Sequence, residues 1–299
     1  MKTKSVLIIG GSGFVGSHLA LRLREGYKVF ATYHRKPVKI PGVTMLPLKI
    51  GDEIWVKRIV YAARPDVVIY AAGKNDVIWA ELNPRDAEKM NTAGPAHISS
   101  VAEILQPKFI YLSNCYTFDG KKGNYKEGDL LLPSTVLGKS KIGGENFIRG
   151  RSYNYCIVRS SPLYGRGNGY NLSFLDHLRI SLSRGERVEL AKDEIHSFAS
   201  IDAFTDLIAR LVDGGPKNKA LHFGGITKLS YFEFGQEFAK CFGYDPGLIL
   251  EKKTQTKSSI IVQQASDYSL NSSYLAETLK IQPLLLEQGF DLLKKKLVP

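Results

Sequence analysis

Cysteine and methionine are scarce in this sequence, three of each in 299 residues, and the cysteines stand alone at 115, 156 and 241. Without a Cys-x-x-Cys pair, neither a disulfide framework nor a structural zinc site is expected. The six histidines include no His-x-x-x-His pair, so a helical catalytic metal site is not expected either. No run of about 18 apolar residues appears, which argues against a membrane span. The apolar "VLII" behind the basic N-terminus is too short for a signal-peptide core and runs straight into glycines. A cytoplasmic location is therefore the expectation. Acidic residues are also few: 29 Asp+Glu face 41 Lys+Arg, a formal net charge of +12. Such a balance favours anionic partners. The basic residues are dispersed, apart from "HRKP" and "LLKKKLVP", and no aromatic-interleaved basic motif is present. A phosphorylated small molecule is thus the expected anion, rather than a specific nucleic-acid site. No motif speaks for or against a homodimer or another protein partner.

What is present is an ordinary globular composition, 43% hydrophobic and 23% charged, with enough apolar material for a sizeable core. Apolar runs at 5–10, 27–33, 43–48, 66–73, 108–114 and 155–161 read as buried strands, and helix-like segments such as 15–26 and 91–106 lie between most of them. Continuous apolar strands alternating with helices imply a parallel sheet covered on both faces. Right-handed crossovers make it an α/β, doubly wound Rossmann sheet. Beyond about residue 165 amphipathic helices dominate: "GYNLSFLDHLRISLSRGE", "DAFTDLIARLVDGG", "YFEFGQEFAKCFG" and the "LAETLKIQPLLLEQGFDLLKKKL" region. The expected organisation is a nucleotide-binding domain over 1–165 and a smaller helix-rich substrate lobe over 166–299, with about 194–224 returning to the first domain.

The strongest motif is "VLIIGGSGFVGSHLA". Glycines at 10, 13 and 16 permit a tight turn, close approach of a pyrophosphate and close helix–strand packing. The helix that begins at Phe14, Val15 and Gly16 offers its amide-rich end to the phosphates. The second strand ends in "VFATYHRKP". A carboxylate here would hold the ribose hydroxyls of NAD(H), but Tyr33 is followed by His34, Arg35 and Lys36. Guanidinium and ammonium groups would hold a 2′-phosphate instead, so NADP(H) is the expected cofactor.

Together with these, later segments resemble the extended short-chain dehydrogenase/reductase superfamily, and within it the dTDP-4-dehydrorhamnose reductases, over nearly the whole chain. "RPDVVIYAAG" (64–73) is similar to the family's fourth strand, with Ala71, Ala72 and Gly73 where backbone passes the cofactor. Asn91 resembles its helix asparagine, "YLSNCYTFDG" (111–120) its fifth-strand segment, and "VRSSPLYGRG" (158–167), with Pro162, its nicotinamide-side loop. The resemblance implies an NADPH-dependent reductase acting on a nucleotide-linked 4-keto sugar.

The departures fall on the catalytic positions. The superfamily pairs a tyrosine with a lysine four residues later, on one helix face, plus a serine or threonine. In "STVLGKSKIGGE" (134–145) Lys141 is present, but the tyrosine position is Leu137, and Asn114 occupies the hydroxyl position. Leucine has no donor. Asn114 can still donate an amide hydrogen bond. If the fifth strand stays extended to residue 116, Tyr116 shares its face and offers a phenol, while Ser113 points to the other side. A second reading therefore stands beside the reductase: an NADP(H)-binding regulatory or scaffold protein without turnover, as in the non-catalytic beta subunit of methionine adenosyltransferase. Lys49 stands where the family usually has an aspartate near adenine. Phe198 and Ala203 depart from the family's substrate-side segment, which also contains His196. Arg159, Arg166 and Arg187 are candidates for contacting nucleotide-sugar phosphates, with salt-bridging or solvated arginines as the alternative.

Overall fold

The computed structural model describes residues 3–169, 172–252 and 266–297. In chain order the elements of the first half are β1 (Ser5–Ile9), α1 (Phe14–Leu23), β2 (Lys28–Tyr33), β3 (Val43–Pro47), α2 (Glu53–Ala63), β4 (Val67–Tyr70), α3 (Val77–Leu82) and α4 (Pro84–Glu88). A π-helical turn (Lys89–Ala93) leads into α5 (Gly94–Leu105), β5 (Lys108–Asn114), a 3-10 turn (Cys115–Thr117), α6 (Val136–Arg151) and β6 (Tyr155–Ser160). There follow β7 (Leu163–Tyr164), α7 (Phe174–Ser183), β8 (Val188–Leu190), β9 (Glu194–His196), β10 (Ala199–Ser200), α8 (Ile201–Asp213) and β11 (Lys219–Phe223). The chain closes with β12 (Leu229–Ser230), α9 (Tyr231–Cys241), β13 (Ile249–Glu251), β14 (Ser266–Asp267), α10 (Ser273–Leu279) and α11 (Leu286–Leu297).

The described residues divide into two compact units. One comprises those within Met1–Phe118, Leu130–Arg159 and Ile201–Leu221, the other those within Asp119–Asp129, Ser160–Ser200 and His222–Pro299. The chain therefore changes unit several times, and Ile201–Leu221 belongs to the first unit. Strand pairing is one reason: β11 hydrogen-bonds beside β6, which ties this late segment, with the helix before it, to the large sheet.

That sheet has seven strands in the order β11-β6-β5-β4-β1-β2-β3. Pairing is parallel between β1 and β2, β1 and β4, β2 and β3, and β4 and β5. The order reverses between β1 and β4, the place where doubly wound sheets bind ligands at the carboxyl ends of their strands. Val6, Leu7, Ile8, Val68, Ile69, Phe109, Ile110, Ile157 and Val158 are buried, as expected for strands covered on both faces. Val56 and Val60 of α2, Ile98 and Val101 of α5, and Ile148 of α6 close one side of this core. Each such side chain contributes about 1.5–3 kcal/mol by leaving water.

The helix expected over 91–106 begins differently. An α-helical Pro95 would donate an N–H to the carbonyl of Asn91, and proline has none. The chain makes a π turn over Lys89–Ala93 instead. The freed Asn91 carbonyl accepts the Tyr111 hydroxyl at 3.0 Å, and the Met90 carbonyl accepts that of Tyr70. Two buried tyrosines thus hold a π turn, a feature found often beside functional sites.

The second unit is built on aromatic packing. Phe234, Phe238 and Phe290 are buried together with Tyr164, Leu175 and Leu178. Capping boxes start two of its helices, Ser173 with Asp176 on α7 and Ser230 with Glu233 on α9. The helix expected from residue 169 therefore starts at Phe174; residues 170 and 171 lie outside the described residues. The final helical region is broken at Lys280, whose φ is +54°, into α10 and α11.

Candidate active site

The turn after β1 takes its shape from its glycines. Gly10 has φ +87°, and a Cβ there would stand 2.7 Å from the Ala72 backbone. Its N–H donates to Thr32 Oγ1 at 2.9 Å, which locks the turn to β2. A Cβ on Gly16 would collide with the Gly10 carbonyl, so α1 lies directly on the turn. Gly13 differs: a Cβ there would meet only the Gly10 oxygen, at 3.4 Å. Gly13 is also the N-cap of α1, no side chain caps the helix, and its first turn holds no acid. The amides of Phe14, Val15 and Gly16 therefore form an uncapped, partially positive helix end behind a bare backbone, a cradle suited to a pyrophosphate.

At the end of β2 the Tyr33 carbonyl accepts the Leu48 amide at 2.8 Å. The chain then leaves the sheet, and His34, Arg35 and Lys36 are exposed. Their side chains make no hydrogen bond or ion pair with the described residues, which leaves the two permanent cations open to an anionic group. Beyond β4, Ala71 still donates to the Ile9 carbonyl at 2.9 Å. Gly73, at φ +128°, packs so closely that a Cβ would lie 2.6 Å from Asn91 Oδ1 and 3.6 Å from Lys141 Nζ. The Asn91 amide nitrogen donates to Ser140 Oγ at 3.0 Å, while Oδ1 is buried without a partner. Ser140 Oγ in turn donates to the Leu137 carbonyl at 2.8 Å, and Thr92 Oγ1 to the Ser140 carbonyl at 2.8 Å. Through these bonds the π turn grips the start of α6.

Thr135 caps α6, accepting the Gly138 amide at 3.0 Å. Two residues on, Leu137 is fully buried, and Lys141 one turn later lies on the same helix face at 6% exposure. Lys141 Nζ donates to the Leu112 carbonyl at 3.0 Å and sits 5.2 Å from the centroid of the Tyr111 ring. Burial pushes this ammonium down to about 8, against an opposing pull from Glu145 one turn further along. Glu145 itself is buried under Arg159, which binds it through two nitrogens at 3.0 and 2.6 Å, and Ser113 Oγ donates to it at 2.7 Å. Burial alone would raise the Glu145 carboxyl, but the Arg159 charge and these hydrogen bonds hold it below its usual range. Of the roles open to Arg159, the structure selects the salt bridge, buried against Glu145.

The premise for Tyr116 does not hold. β5 stops at Asn114 and residues 115–117 form a 3-10 turn, so the alternation that would put Tyr116 beside Asn114 ends there. Asn114 is the reason: its Oδ1 accepts the Tyr116 amide at 3.1 Å and caps the turn, while Nδ2 donates to Asn75 Oδ1 at 2.6 Å. Ser113 does point away, to Glu145. Glu145 was missed in the sequence, although its i+4 spacing from Lys141 could have flagged it. Asn75 carried no signal, because only folding brings it to Asn114, 39 positions away.

Within the second unit, the Pro162 carbonyl accepts the Ala199 amide at 3.1 Å. His196 is buried, 2.6 Å from a Glu194 oxygen and stacked on Tyr268 at 5.8 Å between ring centroids. Arg166 and Arg187 are exposed. Among the described residues no group of three metal-ligating side chains occurs, and no helix is long and apolar enough to cross a membrane.

A glycine turn at the switch point, an uncapped α1, and a helix carrying a buried lysine at the edge of the sheet define a Rossmann-fold protein of the extended short-chain dehydrogenase/reductase kind. The chain belongs to the RmlD substrate binding domain family, whose model matches residues 3–289. It is 28% identical over 246 residues to a probable low-salt glycan biosynthesis reductase of Haloferax volcanii, covering 81% of each chain. It is also 28% identical over 254 residues to dTDP-4-dehydrorhamnose reductase of Mycobacterium tuberculosis, covering 82% of this chain and 78% of that one. A 26% identity over 164 residues links it to bovine methionine adenosyltransferase 2 subunit beta, covering 54% of this chain and 48% of the relative. Among solved structures, a hypothetical dTDP-4-dehydrorhamnose reductase from Sulfolobus tokodaii superposes with a TM-score of 0.81 at 28% identity, covering 95% of this chain and 98% of that one. The Bacillus anthracis dTDP-4-dehydrorhamnose reductase, solved in complex with NADP, shares the fold at a TM-score of 0.83 and 22% identity, covering 99% and 100%.

Proposed function

We propose that this chain is an NADP(H)-dependent reductase of a nucleotide-linked 4-keto sugar. The observation that carries it is the uncapped end of α1 beside the exposed Arg35 and Lys36 at the end of β2. One set of groups suits a pyrophosphate and the other a 2′-phosphate. The reductase names of the relatives and the NADP complex of the B. anthracis protein support the same reading.

In this reading Gly10, Gly13 and the amides of Phe14, Val15 and Gly16 hold the pyrophosphate. Tyr33, His34, Arg35 and Lys36 hold the phosphorylated ribose, and the backbone of Ala71, Ala72 and Gly73 flanks the cofactor with Lys141. Bound there, NADPH supplies a hydride. We assign recognition of the sugar nucleotide to the second unit. Leu137 stands where the superfamily's tyrosine would be, and its burial without a donor favours a second reading, an NADP(H)-binding protein that does not turn over.

Single-turnover oxidation of NADPH with dTDP-4-keto-6-deoxy-L-lyxo-hexose, run beside Leu137→Tyr, separates the two. Oxidation by the unmodified chain establishes the reductase. Oxidation by the tyrosine variant alone establishes an intact substrate site without its acid, and silence from both removes this substrate class.

A further inference from the structure

A ketone that accepts a hydride must also take a proton on oxygen, and α6 carries no hydroxyl one turn before Lys141. Thr135 Oγ1, six residues before Lys141, accepts the Gly138 amide as the helix cap, and Ser140 Oγ donates its proton to the Leu137 carbonyl. Three further proton-bearing side chains near this edge of the sheet are engaged as well. Asn114 binds the Tyr116 amide with one end and Asn75 with the other, and an amide is in any case no acid. The Tyr70 and Tyr111 hydroxyls donate to the carbonyls that hold the π turn, and burial pushes both phenols well above their usual range.

Lys141 remains. Its Nζ makes one hydrogen bond, to the Leu112 carbonyl of β5, which leaves two of the three ammonium protons uncommitted among the described residues. The group lies at the carboxyl edge of the sheet, between the loop after β4 and the end of β5. Gly73 and the unpartnered Asn91 Oδ1 are both close by. No carboxylate lies within 4.0 Å of it among the described residues. Two ionisable groups face it: Tyr111 from β5 beneath the ammonium, and Glu145 from α6 itself. Among charged side chains, Glu145 is the one that opposes the effect of burial on this ammonium. Glu145 is already divided between Arg159, Arg149 and Ser113, so its charge offsets the Lys141 ammonium only in part.

From this placement we propose that Lys141 Nζ is the proton donor to the substrate carbonyl oxygen, so that the reduction needs no tyrosine. The proposal rests on the reductase reading. As the dihydronicotinamide gives its hydride, with both electrons, to the carbonyl carbon, the C=O π bond breaks toward oxygen. An Nζ–H bond of the ammonium then breaks and its proton forms the new O–H. The alcohol, the oxidised nicotinamide and a neutral amine remain, and water returns the proton to the amine. The lowered proton affinity of the buried ammonium suits it to this task near neutral pH.

The test uses the full chain with NADPH and dTDP-4-keto-6-deoxy-L-lyxo-hexose, and three readouts. NADPH affinity is measured by fluorescence, the single-turnover rate is followed from pH 6 to 10, and the Nζ of nitrogen-15 lysine is titrated by NMR in the protein without substrate. The expected result is a rate that falls above a midpoint shared with one NMR-observed lysine. That lysine signal is absent in Lys141→Arg, whose guanidinium keeps the charge but does not release its proton in this range. Lys141→Arg should still bind NADPH, reduce the ketone on the order of 10²-fold more slowly or worse, and lose the alkaline limb. A limb that survives unchanged in Lys141→Arg overturns the proposal, as does one that disappears in Tyr116→Phe instead. Should Lys141→Arg fail to fold, a kinetic midpoint more than about one pH unit from the NMR midpoint overturns it equally. If NADPH does not bind, or binds and is never oxidised while the lysine still titrates, the reductase reading fails and takes the proposal with it.

Discussion

Replacing Lys141 by methionine separates the cost of burying its charge from its use. The folded chain lowers the proton affinity of this amine from 10.5 to about 8. Between those two pH values the unfolded chain holds a proton that the folded chain has released, so stability of the wild type rises with pH across the window. At 1.36 kcal/mol per unit the rise amounts to about 3 kcal/mol. Below pH 8 both states carry the charge and the burial penalty is present in full; above 10.5 neither does and the penalty is gone. Methionine fills a similar volume and has nothing to titrate. It leaves the Leu112 carbonyl without its donor, a cost of about 1–3 kcal/mol, but that cost does not vary with pH. The variant is therefore favoured over wild type most strongly at pH 7, and this advantage shrinks by about 3 kcal/mol as pH rises through 8 to 10.5. Urea unfolding of both proteins at half-unit steps measures the difference directly, since other alkaline ionisations are common to the pair and cancel. Stability curves that run parallel from pH 7 to 10.5 would refute the reasoning, because they would mean that Lys141 titrates alike in the folded and unfolded chains.

Gly13→Val and Gly16→Ala should part company. A Cβ at 13 meets only the Gly10 oxygen at 3.4 Å, so the fold should hold within about 1 kcal/mol, while NADPH affinity falls by at least about tenfold as pyrophosphate approach is blocked. Gly16→Ala drives a methyl into the turn and should cost about 1–3 kcal/mol of stability; equal melting temperatures and equal NADPH titrations for the two variants would refute this. Arg35→Ala combined with Lys36→Ala should weaken NADPH by about 1.5–3 kcal/mol for each lost charge-assisted bond and leave NADH nearly unchanged, as read by competitive fluorescence titration. Glu145→Gln should cost about 3–5 kcal/mol at pH 7, because Arg159 is left buried without its full partner. The Glu145 carboxyl is depressed in the folded chain, so its contribution is present above the ordinary carboxylate range and lost as pH falls through the depressed value. The gap between wild type and variant should accordingly close in strong acid, and urea unfolding at falling pH checks it.

Sequence alone determined the elements whose cause is local. The apolar runs specify strands wherever they occur, although the one at 43–48 becomes the edge strand β3, which is only partly covered instead of buried, and "GGSGFVG" specifies a tight turn leading into a helix because only glycine tolerates that backbone and those contacts. The basic residues after Tyr33 were equally plain, being neighbours in the chain. The i,i+4 spacing by itself places Leu137 and Lys141 on one helix face. What folding alone decided were encounters between residues distant in sequence, and terminations that depend on them. Tyr70 and Tyr111 meet the carbonyls of a π turn, Asn114 meets Asn75 while capping the 3-10 turn that ends β5 two residues before Tyr116, and Arg159 turns inward to Glu145. The proton affinity of Lys141 belongs to this second group. It is set by how much water and how little opposite charge surround the amine, and both follow from packing rather than from the order of residues.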